Sequence, residues 1–167
     1  MATAAAADAD HARELVARYQ GTWEADIQSV DSAWSKAGTQ RWTIDNWCTP
    51  VREFYTCRQR FNDAPPTLTV YSFAQAGGRH SSVLLGLDGK VLQSGPLTAQ
   101  GETLTFPWEV VDSDGTRTYF RILNAWRGPD CIDFRKEFST DGASWHLIAS
   151  DRERRAGVPP VRGSCGQ

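Results

Sequence analysis

Three Asp-Gly dipeptides, Asp88-Gly89, Asp114-Gly115 and Asp141-Gly142, each sit between short runs rich in Thr, Val, Ile, Phe, Tyr and Trp. Asp-Gly is a strong hairpin signal, because both central positions of a type I′ turn need positive φ. Gly128-Pro129 and Ala64-Pro65-Pro66 break the chain between other runs of the same kind. Period-two patterning between these breaks gives about ten strands, near 22–30, 39–48, 53–61, 67–75, 80–87, 90–98, 102–111, 117–126, 130–139 and 145–154. The connections are too short for parallel crossovers, which need a dozen or more residues. An antiparallel meander of this length must resolve its two edges, and closing on itself is the simplest way. The pattern therefore predicts an all-β fold, a closed antiparallel up-and-down β-barrel of about ten strands.

One helix precedes the strands, from about residue 10 to 19. Asp8 or Asp10 can cap it, and Leu15, Val16 and Tyr19 form its apolar stripe. Residues 1–9 are expected to be disordered or processed, and 10–155 to form one barrel domain. The stretch 156–167, with Gly157, Pro159, Pro160, Gly163 and Gly166, reads as an irregular tail.

Composition narrows the class. The 167 residues carry a net charge of −2, with 40% hydrophobic and 23% charged residues, which excludes a disordered chain. No apolar run approaches the roughly 18 residues of a membrane-spanning helix. The near-neutral charge speaks against nucleic acid as a partner. The anomaly is aromatic: seven Trp, seven Phe and four Tyr.

The four cysteines include no CxxC pair and have no neighbouring His, so a structural zinc site is not indicated. A turn centred on Arg52-Glu53 would set Cys48 opposite Cys57 on adjacent strands, leaving Cys131 to pin the tail through Cys165. Four reduced thiols are the alternative. Two disulfides would imply an oxidising compartment. The small residues of Met1–Asp8 read as the surroundings of a removed signal peptide, so the expected location is periplasmic or secreted.

A short helix followed by Gly21-Thr22-Trp23 resembles the calycin group of lipocalins and fatty-acid-binding proteins. That resemblance implies a basic residue of the last strand, here Arg152 or Arg154, stacked across Trp23. The chain is also similar to a bacterial family of lipocalin-like domains of unknown function. The shared features are the Gly-x-Trp opening, Trp42-Thr43 and the late Ser139-Thr140-Asp141-Gly142-Ala143-Ser144-Trp145 hairpin. A third resemblance is to nitrobindin-like haem barrels, which place a haem-ligating His in the last strand where His146 stands. Their Gly-x-Trp-x-Gly-x-Gly opening reads Gly21-Thr22-Trp23-Glu24-Ala25-Asp26 here.

In a barrel, alternate residues of each strand face the lumen. A base stacked on Trp23 from Arg152 or Arg154 would bring His146 inside with it. Ile132, Phe134, Lys136 and Phe138 form the apolar face of their strand, and Thr69, Tyr71 and Phe73 share a face of another. The faces of Arg58 and Arg121 are ambiguous from pattern alone. The candidate ligand contacts are thus Trp23, Trp42, Arg58, Tyr71, Phe73, Arg121, Phe134, Lys136, His146 and Arg152. Aromatics would hold an apolar body, and an inward Arg or Lys would meet an anion. The bland reading is core filling, with the cations paired internally to a group such as Asp45 or Glu109.

No Gly-x-Ser-x-Gly, P-loop or Rossmann glycine pattern is present, and the aspartates lack calcium-loop spacing. His11 and His80 are expected to be solvated. The preferred function is binding of a small, largely hydrophobic molecule, anionic or neutral, inside the barrel. Three alternatives remain open. One is a small barrel enzyme of the isomerase or cyclase type, with His146 and Tyr71 as acid and base. Another is a haem barrel with His146 as axial ligand. The last is a purely structural or interaction module whose barrel is closed.

Overall fold

A computed structural model describes residues 2–73, 79–158 and 165. The helix α1 (Ala2–Ala17) is followed by β1 (Gly21–Ser29), β2 (Gly38–Val51), β3 (Phe54–Phe61), β4 (Thr67–Ser72), β5 (His80–Leu85), β6 (Val91–Gln100), β7 (Thr103–Val111), β8 (Arg117–Trp126), β9 (Cys131–Ser139) and β10 (His146–Arg155). Each strand pairs with its sequence neighbours and β10 returns to β1, which shuts the barrel. All pairings are antiparallel. The expected architecture therefore stands.

The turns fall at the expected Asp-Gly sites but are not type I′. Gly89, Gly115 and Gly142 adopt positive φ, while Asp88, Asp114 and Asp141 do not, so the glycine alone takes the left-handed conformation. The Ser139–Trp145 motif is a structural knot. Asp141 Oδ1 accepts from the backbone N–H groups of Ala143 and Ser144 and from Ser139 Oγ. Those donors hold the Asp141 carboxyl well below the usual carboxylate range.

The helix begins at Ala2 rather than near residue 10. Alanine is the best helix former, so the run of alanines extends it backwards. Its buried face, Ala9, Ala12, Leu15 and Val16, lies across one end of the barrel and makes that end the floor. His11 Nε2 meets the Gly101 carbonyl oxygen at 2.7 Å. Asp8 reaches His80 at 3.2 Å. His80 is thus buried under the helix and edge-on to Phe73, not solvated as expected.

Trp23 is wholly buried on this floor, edge-on to Trp126. Its indole Nε1–H donates to the Tyr19 carbonyl oxygen. The cation over its ring is Arg155, 4.4 Å from the centroid, not Arg152 or Arg154. The register explains this. Arg155 lies directly opposite Trp23, so the two share a face, while Arg154 lies opposite Glu24 outside. Arg155 also binds Asp130 and the carbonyl oxygens of Arg18, Gln20 and Pro129. One guanidinium thereby ties the helix end, the β8–β9 turn and both closing strands together.

Two disulfides are present and no cysteine is free. Cys48 and Cys57 stand opposite each other in the β2–β3 ladder, with Cα atoms 4.0 Å apart. Cys131 joins Cys165 across 34 residues with Cα atoms 5.5 Å apart. Both pairings match the sequence expectation and fit an oxidising compartment. Most of the expected tail lies outside the described residues. Among the described residues no helix is long and apolar enough to cross a membrane.

Candidate functional site

The lumen holds a cavity of about 280 Å³ between the helix-covered floor and the opposite mouth. Four of the expected contacts line it: Trp42, Tyr71, Phe134 and Lys136. Trp42 is edge-on to Phe61, and Tyr71 lies tilted against Phe106. Ile27, Ile44, Leu84 and Ile122 complete the apolar wall. Asn46, Gln59, Ser82, Gln93, Asn124 and Glu153 supply the polar atoms. Gln59 Nε2 donates to Asn46 Oδ1 at 2.9 Å, so these two satisfy each other in part. Towards the mouth, Trp34 of the β1–β2 loop sits edge-on to Phe120, which stacks on Trp108.

Other expected contacts lie elsewhere. Trp23 is beneath the cavity, and Phe73 is buried against Arg13 and His80. Arg58 faces outwards and stacks on Trp47, because its neighbours Cys57 and Gln59 take the inward positions. Arg121 is also outside. It pairs with Glu137 at 2.7 Å, beneath the Trp145 ring at 3.9 Å. Phe120 and Ile122 hold the inward positions beside it. Arg152 faces outwards to Asp133 at 2.8 Å. Of the four cations expected inside, only Lys136 is there. Its Nζ lies 5.9 Å from the Trp108 centroid, and among the described residues it forms no ion pair. The internal partners considered from sequence are engaged elsewhere, Asp45 by Arg60 and Glu109 by Arg117.

His146 keeps the inward parity, opposite Phe138, but stands exposed at the rim and does not line the cavity. A β-bulge follows between Leu147 and Ala149. It buries Ile148 and Ala149 in succession and reverses the alternation for the rest of β10. Below the bulge the inward residues are Ala149, Asp151, Glu153 and Arg155, the opposite set to the one pattern alone selects. His146 and Tyr71 therefore do not converge on one pocket, which removes the geometry an acid–base pair would need. None of the three histidines lines the cavity.

Glu153 is the group that sequence reading missed. Burial, with Asp151 close by, pushes its carboxyl up to about 8. Tyr71 and Tyr19 are likewise raised by burial. Ladder pairing between β1 and β10 lapses at Ala25, Asp26 and Ile27, just where Asp151 and Glu153 stand. Asp151 Oδ2 is buried without a partner in that gap, and burial raises this carboxyl as well.

A pH effect follows. Between the usual 4.5 and about 8 the folded Glu153 keeps a proton that the unfolded chain has lost. The native state then binds more protons, so stability is full below that window and falls as pH rises through it. Glu153→Gln is expected to abolish this loss. The Tm of the variant, relative to wild type, should be higher at pH 9 than at pH 4 by roughly 4 °C or more in a thermal melt. Equal differences at the two pH values would contradict it.

The sequence matches no protein-family model and no curated protein. Among solved structures the chain is similar to the crystal structure of Rv2717c from M. tuberculosis, with 13% identity and a TM-score of 0.45. The match covers 86% of this chain and 96% of that one. The class the fold and site define is a closed, ten-stranded antiparallel barrel with a helix-covered floor and an aromatic lumen.

Proposed function

We propose that this protein binds a small, largely hydrophobic molecule within the barrel, in a periplasmic or extracellular setting. The observation that carries the reading is the cavity of about 280 Å³ lined by Trp42, Phe61, Tyr71, Phe106 and Phe134. At roughly 30 Å³ of liquid volume per water, it has room for about ten non-hydrogen atoms. Pockets of this kind bind through an apolar wall and are oriented by a few polar groups. Lys136 and Glu153 are the charged side chains in that set. The two disulfides support the setting, since such bonds persist where thiols are not kept reduced.

Propylbenzene serves as a neutral probe of matching size. At a hundredfold excess over its Kd it is expected to raise Tm by roughly 5 °C or more. Thr69→Phe and Ile122→Trp place new volume in the lumen and should each weaken binding at least about tenfold, a loss of 1.4 kcal/mol. Circular dichroism checks that each variant is folded. Equal binding by the filled variants would place the probe outside the lumen and defeat the reading.

A further inference from the structure

Polar atoms also border the lumen just above its helix-covered floor. Asn124 Nδ2 donates to the Tyr19 hydroxyl at 2.7 Å, which leaves Asn124 Oδ1 buried with no partner. Glu153 lines the same cavity and is felt electrostatically by Tyr19. No described residue hydrogen-bonds to its carboxyl. A buried acceptor without a donor is costly. Asn124 lines a cavity that a ligand can enter, so a ligand can supply the donor its Oδ1 lacks.

The lumen's charges are also ordered along its axis. Glu153 is level with Ile132, and Lys136 is four residues further along β9 towards the mouth. At about 3.4 Å per residue that is roughly 14 Å of strand. The groups around Glu153 are Tyr19 from the turn after α1, Tyr71 from β4, Asn124 from β8, and Asp151 and Arg155 from its own strand. The one cation among them, Arg155, is engaged by Asp130 and by the Arg18, Gln20 and Pro129 carbonyl oxygens beneath Trp23. A carboxylate lowered to this floor would meet carboxyl and amide oxygens, whereas an ammonium brings three donors and no acceptor.

We propose that Tyr19, Asn124 and Glu153 form a subsite for a primary ammonium group, so that the lumen takes a small hydrophobic amine seated amine-first. This rests on the reading of the lumen as a ligand site. On binding, the Glu153 carboxylic acid gives its proton to the buffer, and the ammonium takes that proton's place against the carboxylate. The ion pair forms without any further reactant.

Phenethylamine, propylbenzene and phenylacetate share a benzene ring and differ in the head group. They are titrated calorimetrically into the disulfide-intact protein at pH 7, in two buffers of different ionisation enthalpy. Phenethylamine is expected to bind at least about tenfold more tightly than either other probe, as a charge-assisted pair should. It should release about one proton per ligand bound. Glu153→Gln should erase the preference for the amine over propylbenzene, with circular dichroism checking that the variant is folded.

A tighter fit for propylbenzene or phenylacetate, amine binding unchanged in Glu153→Gln, or no proton release would overturn the proposal. If Glu153→Gln does not fold, the wild-type proton release and the loss of preference in Asn124→Leu decide. Binding of propylbenzene without preference for the amine removes only the ammonium subsite. Binding of none of the three removes the lumen reading itself, and this proposal with it.

Discussion

Trp23→Ala is expected to lower the free energy of unfolding by about 3–5 kcal/mol, measured from urea transitions. The indole is wholly buried, and its removal leaves a void beneath the cavity. Three further contacts go with it: the edge-on packing against Trp126, the bond to the Tyr19 carbonyl, and the face on which Arg155 stacks. Arg155 would keep its bonds to Asp130 and the helix end but lose its apolar support. A domain of this size has only about 5–15 kcal/mol in total, so the variant should be close to unfolding at physiological temperature. Trp23→Phe, which retains a ring under the guanidinium, should cost distinctly less. A loss below about 1 kcal/mol for Trp23→Ala would show that the floor closes without its central ring.

Removing the Cys131–Cys165 bond by a double Ala substitution is expected to cost about 4 kcal/mol, from the entropy of closing a loop of that length in the unfolded chain. The cysteines are 34 residues apart. The Cys48–Cys57 bond spans only 9 residues within an existing ladder, and the same relation gives it about 2.5 kcal/mol. Guanidinium midpoints of the two double variants, under non-reducing conditions, should therefore fall in that order. The reverse order would mean that the long link constrains little in the unfolded state.

Much of the fold could be read directly from the chain. Asp88-Gly89, Asp114-Gly115 and Asp141-Gly142 mark turns, and in each the glycine, though not the aspartate, takes positive φ. The hairpin at Arg52-Glu53 sets the cysteine pair, and Arg52 itself takes positive φ. The candidate site was only half legible. Trp42, Tyr71, Phe134 and Lys136 lie in the lumen because simple alternation holds along their strands. Arg152 did not follow, because one extra residue at the β10 bulge reverses the alternation below it, and His146, before the bulge, stands exposed at the rim. Arg58 and Arg121 had no face that pattern could choose. Their inward neighbours were settled by the ladders to β2, β4, β7 and β9. Glu153 carried no signal, since it sits in a run of charges, Arg152-Glu153-Arg154-Arg155, that resembles a solvated strand end.

The sequence by itself determined the number of strands, their antiparallel order, the turns and the pairing of the cysteines, because each depends on local backbone preference or on neighbours close along the chain. Tertiary structure alone decided which side of β10 faces the lumen, which arginine covers Trp23, and that a carboxyl lies among aromatic rings. Those outcomes depend on where the last strand meets the first, a contact between residues more than a hundred positions apart whose register a single bulge can shift.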